Sequence, residues 1–178
     1  MAPPIDQLPA RVADSPTSVY VVIETPKGSR NKMAFEPELG AFILKGVMPE
    51  GHSFPYDFGF VPSTKAEDGD PLDVLLLLDA PTFAGCVVEA HLLGAIELEQ
   101  HEKDGSVVRN DRLLAVATHS RQHKNLKTIT DLPEELLHEI EHFFYSYNEE
   151  DGREIKILNR VGSEQAHTLL NEALHQSV

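Results

Sequence analysis

The sequence predicts a mainly β fold of the α+β class: a closed or strongly curved sheet with two helices packed outside it near the C-terminus. Three observations carry this. Short β-branched and aromatic runs recur between Val19 and Ala117, turn residues punctuate them, and helical apolar spacing takes over after Pro133. At 178 residues, 41% hydrophobic and 25% charged, the chain can build one domain around one sizeable core.

Residues 1–17 carry four prolines and read as an extended N-terminal arm or a loosely docked segment, leaving 18–178 as the single domain. Val19–Ile23 is a β-branched, aromatic strand that ends on Glu24 before Pro26. Lys27–Asn31 is a turn. Met33–Phe35 and Ala41–Leu44 then form two short strands around the turn at Glu38–Gly40. Met48–Thr64, rich in proline, glycine and aromatics, reads as an irregular loop. Val74–Leu78 is a buried strand, and Cys86–Leu93 runs through Gly94 into Ala95–Leu98. Asp104-Gly105 between Ile96–His101 and Val107-Val108 signals a hairpin, followed by a strand at Leu113–Ala117. The first helix covers Pro133 to Tyr147, with Asp131 as N-cap and Leu136, Leu137, Ile140, Phe143 and Phe144 on one face. The second covers Ser163–Leu174, with Ala166, Leu169, Leu170 and Ala173 at helical spacing.

The formal charge of −14 and pI near 4.9 exclude a nucleic-acid or anionic-membrane surface as partner, since both require basic patches. No apolar run approaches the roughly 20 residues that span a bilayer. The N-terminus lacks the basic start and apolar stretch of a signal peptide, and the lone Cys86 fits a reducing compartment; cytoplasm is the expected location.

Chemistry concentrates at Glu67-Asp68-Gly69-Asp70-Pro71-Leu72-Asp73. Asp68, Asp70 and Asp73 repel one another unless a multivalent cation or positive groups sit among them. Carboxylate oxygens suit a hard cation such as Mg²⁺, which acidifies a water, and a free carboxylate nearby can take the proton. The alternative reading is a solvated Asp-Gly turn. The histidines offer no such site: His138 and His142 bracket Glu139 and Glu141 in the wrong order for a zinc hydrolase. Ser120 beside His119 has no glycine elbow.

Further motifs surround the aspartates. Val22-Ile23-Glu24-Thr25-Pro26, Lys32, Phe54-Pro55-Tyr56-Asp57-Phe58-Gly59-Phe60-Val61-Pro62, Asp68-Gly69-Asp70-Pro71-Leu72-Asp73-Val74, Gly94, Asp131-Leu132-Pro133 and His142-Phe143-Phe144 with Tyr147 occur in that order. Together they resemble the family I soluble inorganic pyrophosphatases over roughly residues 18–175. The resemblance implies an OB-like five-stranded β-barrel flanked by two C-terminal helices, assembled as a homohexamer. It implies Mg²⁺-dependent hydrolysis of pyrophosphate to two phosphates, with Mn²⁺ as the other metal to consider. Asp70 matches the general base, and Asp68, Asp73 and Asp70 match metal ligands. Lys32 and Tyr147 match phosphate-binding groups, and Glu24 matches a carboxylate that holds a metal-bound water.

Several positions depart from the family pattern. Ala34 stands where a glutamate is expected, Gly46 where an arginine is, Phe54 and Phe58 where tyrosines are, and Asn148 where a lysine follows the tyrosine. Asn110 and Arg112 fall on an aspartate and a lysine, with Gln100 near another aspartate. Arg112 thereby becomes a substrate-binding candidate. Asp111 becomes a candidate metal ligand through a one-residue register shift, with Asp104 a second choice. Lys27, Arg30, Lys45 and Arg109 are candidates to restore positive charge. A hydrolase of another phosphoanhydride and a catalytically weak scaffold are the alternative functions.

Overall fold

The computed structural model describes residues 2–177. Strands β1 (Arg11–Val12), β2 (Ser15–Thr25), β3 (Asn31–Glu36), β4 (Ala41–Val47), β5 (Asp57–Phe60), β6 (Asp73–Leu77), β7 (Val87–His101), β8 (Val107–Arg109), β9 (Arg112–Ala117) and β10 (Glu154–Gly162) accompany helices α1 (Glu134–Glu150) and α2 (Ser163–Gln176). The sheet runs β2-β5-β6-β9-β7 and closes because β2 also pairs with β7. Five strands thus form a ring, with β6 and β9 its parallel pair and its other pairings antiparallel. This is the five-stranded barrel and two C-terminal helices that the sequence predicts. β10 extends the edge of β7, and β3 and β4 make a separate hairpin.

Alternation along the strands builds two apolar clusters. Val74 and Leu76 of β6, with Leu113 and Ala115 of β9, pack with Ala166, Leu170 and Ala173 of α2. Leu75, Leu77, Leu114 and Val116 pack with Leu137, Ile140, Phe143 and Phe144 of α1. The consecutive runs in β6 and β9 are therefore buried on both faces, as parallel strands are. No helix among the described residues is long and apolar enough to cross a membrane.

Three expectations change. Asp57–Phe60, expected as loop, is a buried strand, and Gly59 is required there: a Cβ would collide with the Val22 carbonyl of β2. β10 was not expected. Asp131 does not cap α1, which begins after Pro133; its carboxylate instead accepts the Lys127 and Thr128 amides at 2.8 and 3.0 Å, closing a short 3₁₀ turn. The N-terminal segment is docked by β1 and by the Ser63 hydroxyl, which donates to the Leu8 carbonyl at 2.8 Å.

Candidate active site

A cleft of about 820 Å³ opens at the ends of β2, β3, β6, β7 and β9 and is lined by Glu24, Lys32, Asp68, Asp70, Asp73, Arg112 and Tyr147. Seven residues spread from position 24 to 147 are brought together by the barrel. Asp111 is not among them.

The aspartate loop is held from within. Thr64 Oγ1 donates to the Val61 carbonyl at 2.6 Å and accepts the Leu72 amide at 2.9 Å. The Ala66 amide donates to the Asp70 carbonyl at 2.7 Å, and the Asp70 amide to Asp68 Oδ1 at 3.1 Å. Gly69 sits at φ 93°, which a side chain would strain. Asp70 is exposed at the mouth, while Asp68 and Asp73 are half-buried. Burial pushes the Asp68 carboxyl up, as does the charge of Asp70, while the Asp70 amide and Arg112 oppose the rise.

Asp73 and Arg112 meet because of register. Val74 pairs with Leu113 in the parallel ladder, so the residues that open β6 and β9 lie side by side. The Arg112 guanidinium forms an ion pair with Asp73 and lies 5.8 and 5.7 Å from the Phe58 and Phe144 ring centroids. Its side chain is only 4% exposed, and Nε, buried as well, has no hydrogen-bond partner.

The same period of two explains Asp111. Its neighbours Asn110 and Arg112 line the cleft, so Asp111 points to the opposite side. There it accepts the Leu98 amide at 3.1 Å and Arg109 NH2 at 2.9 Å, in a second hollow lined also by Glu67 and Glu97. Asp104 reaches the cleft rim but is engaged by the Ser106 amide and hydroxyl at 2.9 and 2.6 Å. Where the family resemblance leads one to expect carboxylates, the Asn110 amide donates to Gln100 Oε1 at 2.9 Å, and the Gln100 amide donates to Glu102.

Glu24, one residue before the end of β2, lines the cleft with the aspartates. Its Oε1 accepts the Phe35 amide at 2.8 Å, yet burial raises its pKa to about 7. Lys32, at the start of β3, sits 4.5 Å from the Tyr147 ring centroid and donates to Asp151 at 3.1 Å. Burial works against its charge, but Tyr147 and Asp151 outweigh it and raise its pKa, so it stays an ammonium. Tyr147 belongs to an aromatic wall with Phe54 and Phe58, at 5.7 and 6.1 Å between centroids. Asn148 turns back to the Phe144 carbonyl at 2.8 Å.

Of the four candidates for restored charge, Lys45 alone lines the cleft; Arg109 faces the second hollow and Arg30 pairs with Glu50. Lys27 lies over the Tyr56 ring at 5.2 Å. Arg153 and Asp151, from the turn between α1 and β10, join the cleft although the sequence singles out neither. Their signal is faint: a Gly152 at φ 70° after a helix, which places a turn but not its direction.

The oxygen-rich donor set, with no histidine or cysteine in the lining, fits a hard cation such as Mg²⁺. Among the described residues no three acidic, histidine or cysteine side chains converge as a closed cage would require. Mg²⁺ commonly keeps several waters and takes one or two carboxylates, so an open arrangement suits it.

A family model described as inorganic pyrophosphatase matches residues 21–177. An inorganic pyrophosphatase of Thermus thermophilus is 37% identical over 158 residues, 89% of this chain and 87% of that one. One from Nostoc sp. is 35% identical over 170 residues, 96% of each chain. The crystal structure of the inorganic pyrophosphatase from Thermus thermophilus superposes with a TM-score of 0.88 at 32% identity, over 98% of this chain and 99% of that one. The Helicobacter pylori inorganic pyrophosphatase gives 0.84 at 32% identity, over 94% and 97%.

Proposed function

The chain belongs to the inorganic pyrophosphatase family, and from that premise we propose that it is a Mg²⁺-dependent enzyme that hydrolyses pyrophosphate to two phosphates in this cleft. The observation that carries the reading is the convergence of Asp68, Asp70 and Asp73 with Lys32 and Tyr147 in one pocket.

Asp68 and Asp70 would hold Mg²⁺, with Asp73 beside them in an ion pair with Arg112. When bound, the metal supplies neutralisation of the phosphate oxygens and a more acidic attacking water. The chain's own groups do the rest. Asp70, exposed at the mouth, takes the proton of the water as its oxygen bonds to phosphorus and the bridging P–O bond breaks. Lys32 offers its ammonium to the phosphate oxygens, and the Tyr147 hydroxyl offers a hydrogen bond beside it. Little covalent work falls to the protein, since phosphoryl transfer is governed by positioning and charge. Glu24, its carboxyl pushed up to about 7 by burial, lines the same cleft.

We infer further that the chain assembles into a homohexamer. Exposed apolar side chains such as Phe83 and Val87 support an interface, and light scattering at micromolar protein tests it. The size of the cleft and its hydroxyl-poor wall of Phe54 and Phe58 favour a second reading, in which a bulkier phosphoanhydride is also accepted. Phosphate release is the test of both. With pyrophosphate and Mg²⁺ the enzyme turns over and EDTA stops it; a nucleoside triphosphate preferred over pyrophosphate would shift the conclusion to the second reading.

A further inference from the structure

We propose that Arg112 acts as a built-in cation for Asp73, so that the substrate-free enzyme takes one divalent cation per chain, on Asp68 and Asp70. The inference deepens the reading of the cleft as a pyrophosphatase site and rests on it.

Four features of the cleft floor point this way. Asp73 is already in an ion pair with Arg112, and the parallel register of β6 and β9 fixes that pairing in the backbone. The guanidinium cannot swing away: it is 4% exposed and held between Phe58 and Phe144. A guanidinium keeps its charge at any working pH, so its hold on Asp73 does not lapse. A dication on the same carboxylate would sit within a few ångströms of that charge and be repelled.

The orphan Nε–H points the same way. It is buried in the floor, without a partner, and it is a donor. A buried donor without a partner calls for an acceptor and disfavours a cation beside it.

Gln100 and Asn110 complete the picture. Two carboxylates at hydrogen-bond distance would need a cation between them. Here the Asn110 amide donates to the Gln100 carbonyl at 2.9 Å, and these two neutral groups need none. Among the described residues Asp68 and the exposed Asp70 enter no ion pair, so theirs is the negative charge of the cleft left for a cation. The single cation belongs there.

The test counts ions without turnover. Metal-stripped enzyme is dialysed against Mn²⁺ in the absence of substrate, and bound metal per chain is measured on the wild type, Asp73→Asn, Asp68→Asn and Arg112→Met. One ion on the wild type, one on Asp73→Asn, at least tenfold weaker binding by Asp68→Asn, and a second ion on Arg112→Met are expected. Two or more ions on the wild type, none at all, or loss of the ion by Asp73→Asn would overturn the proposal. If Arg112→Met does not fold, the two aspartate variants still decide. Phosphate release by the same wild-type preparation keeps the two claims apart. Hydrolysis with two bound ions sinks the built-in cation alone, whereas one bound ion without hydrolysis sinks the functional reading.

Discussion

Glu24 is the residue whose charge state the fold perturbs most visibly. Burial moves it from 4.5 to about 7, against the pull of the Phe35 amide and Lys32. A carboxylic acid with a raised folded pKa binds more protons folded than unfolded across that interval, so metal-free protein loses stability as pH rises from 4.5 to about 7. The loss amounts to about 3 kcal/mol. Glu24→Gln should flatten it: urea midpoints of the metal-free variant would be the same at about pH 5 and about pH 8, apart from groups common to both proteins. Lys32 makes a second prediction. Its ammonium is the cation placed to meet the phosphate, so Lys32→Met should cost about 1.5–3 kcal/mol of phosphate binding, seen as a raised KM in steady-state kinetics. An unchanged KM would remove Lys32 from the substrate site. At this scale the sequence names Asp68, Asp70 and Asp73 through their motif. Their placement beside Arg112 comes from a strand pairing that no local pattern encodes. Asp111 shows the converse, since one step along β9 sends a side chain to the other face.

Gly94 is where β7, β10 and the 3₁₀ turn at Ile129 press together. A Cβ there would strike the Val161 carbonyl of β10 and the Ile129 side chain. Gly94→Ala should therefore destabilise by about 3 kcal/mol, read as a lower denaturation midpoint with unchanged slope. Element types were legible where period and turn chemistry agreed, as in β2, β6, β9 and both helices. β5 was hidden by the prolines around it, although its four residues are all buried. β10 was hidden by composition: Glu154, Lys156, Asn159 and Arg160 interrupt it, and only Ile155 is buried. Its pairing with β7 creates that strand, with little help from its own propensity.

The whole molecule sets the charge problem that the site must solve. A net charge of −14 and an acid-rich cleft hold a cation well and an anion poorly until the cation is present. Mg²⁺ should therefore stabilise the folded chain, by about 2.7 kcal/mol at a hundredfold excess over Kd, and Asp68→Asn should abolish most of the resulting rise in Tm. The strand order makes this possible, because β5 lies between β2 and β6 and brings Glu24 to the aspartate loop. The most direct measurement is phosphate release from pyrophosphate by wild type and Asp70→Asn, each extrapolated to saturating Mg²⁺. Asp70 as the proton acceptor predicts a fall in kcat of about 10²–10⁴-fold. A variant that turns over as fast as the wild type would contradict the account.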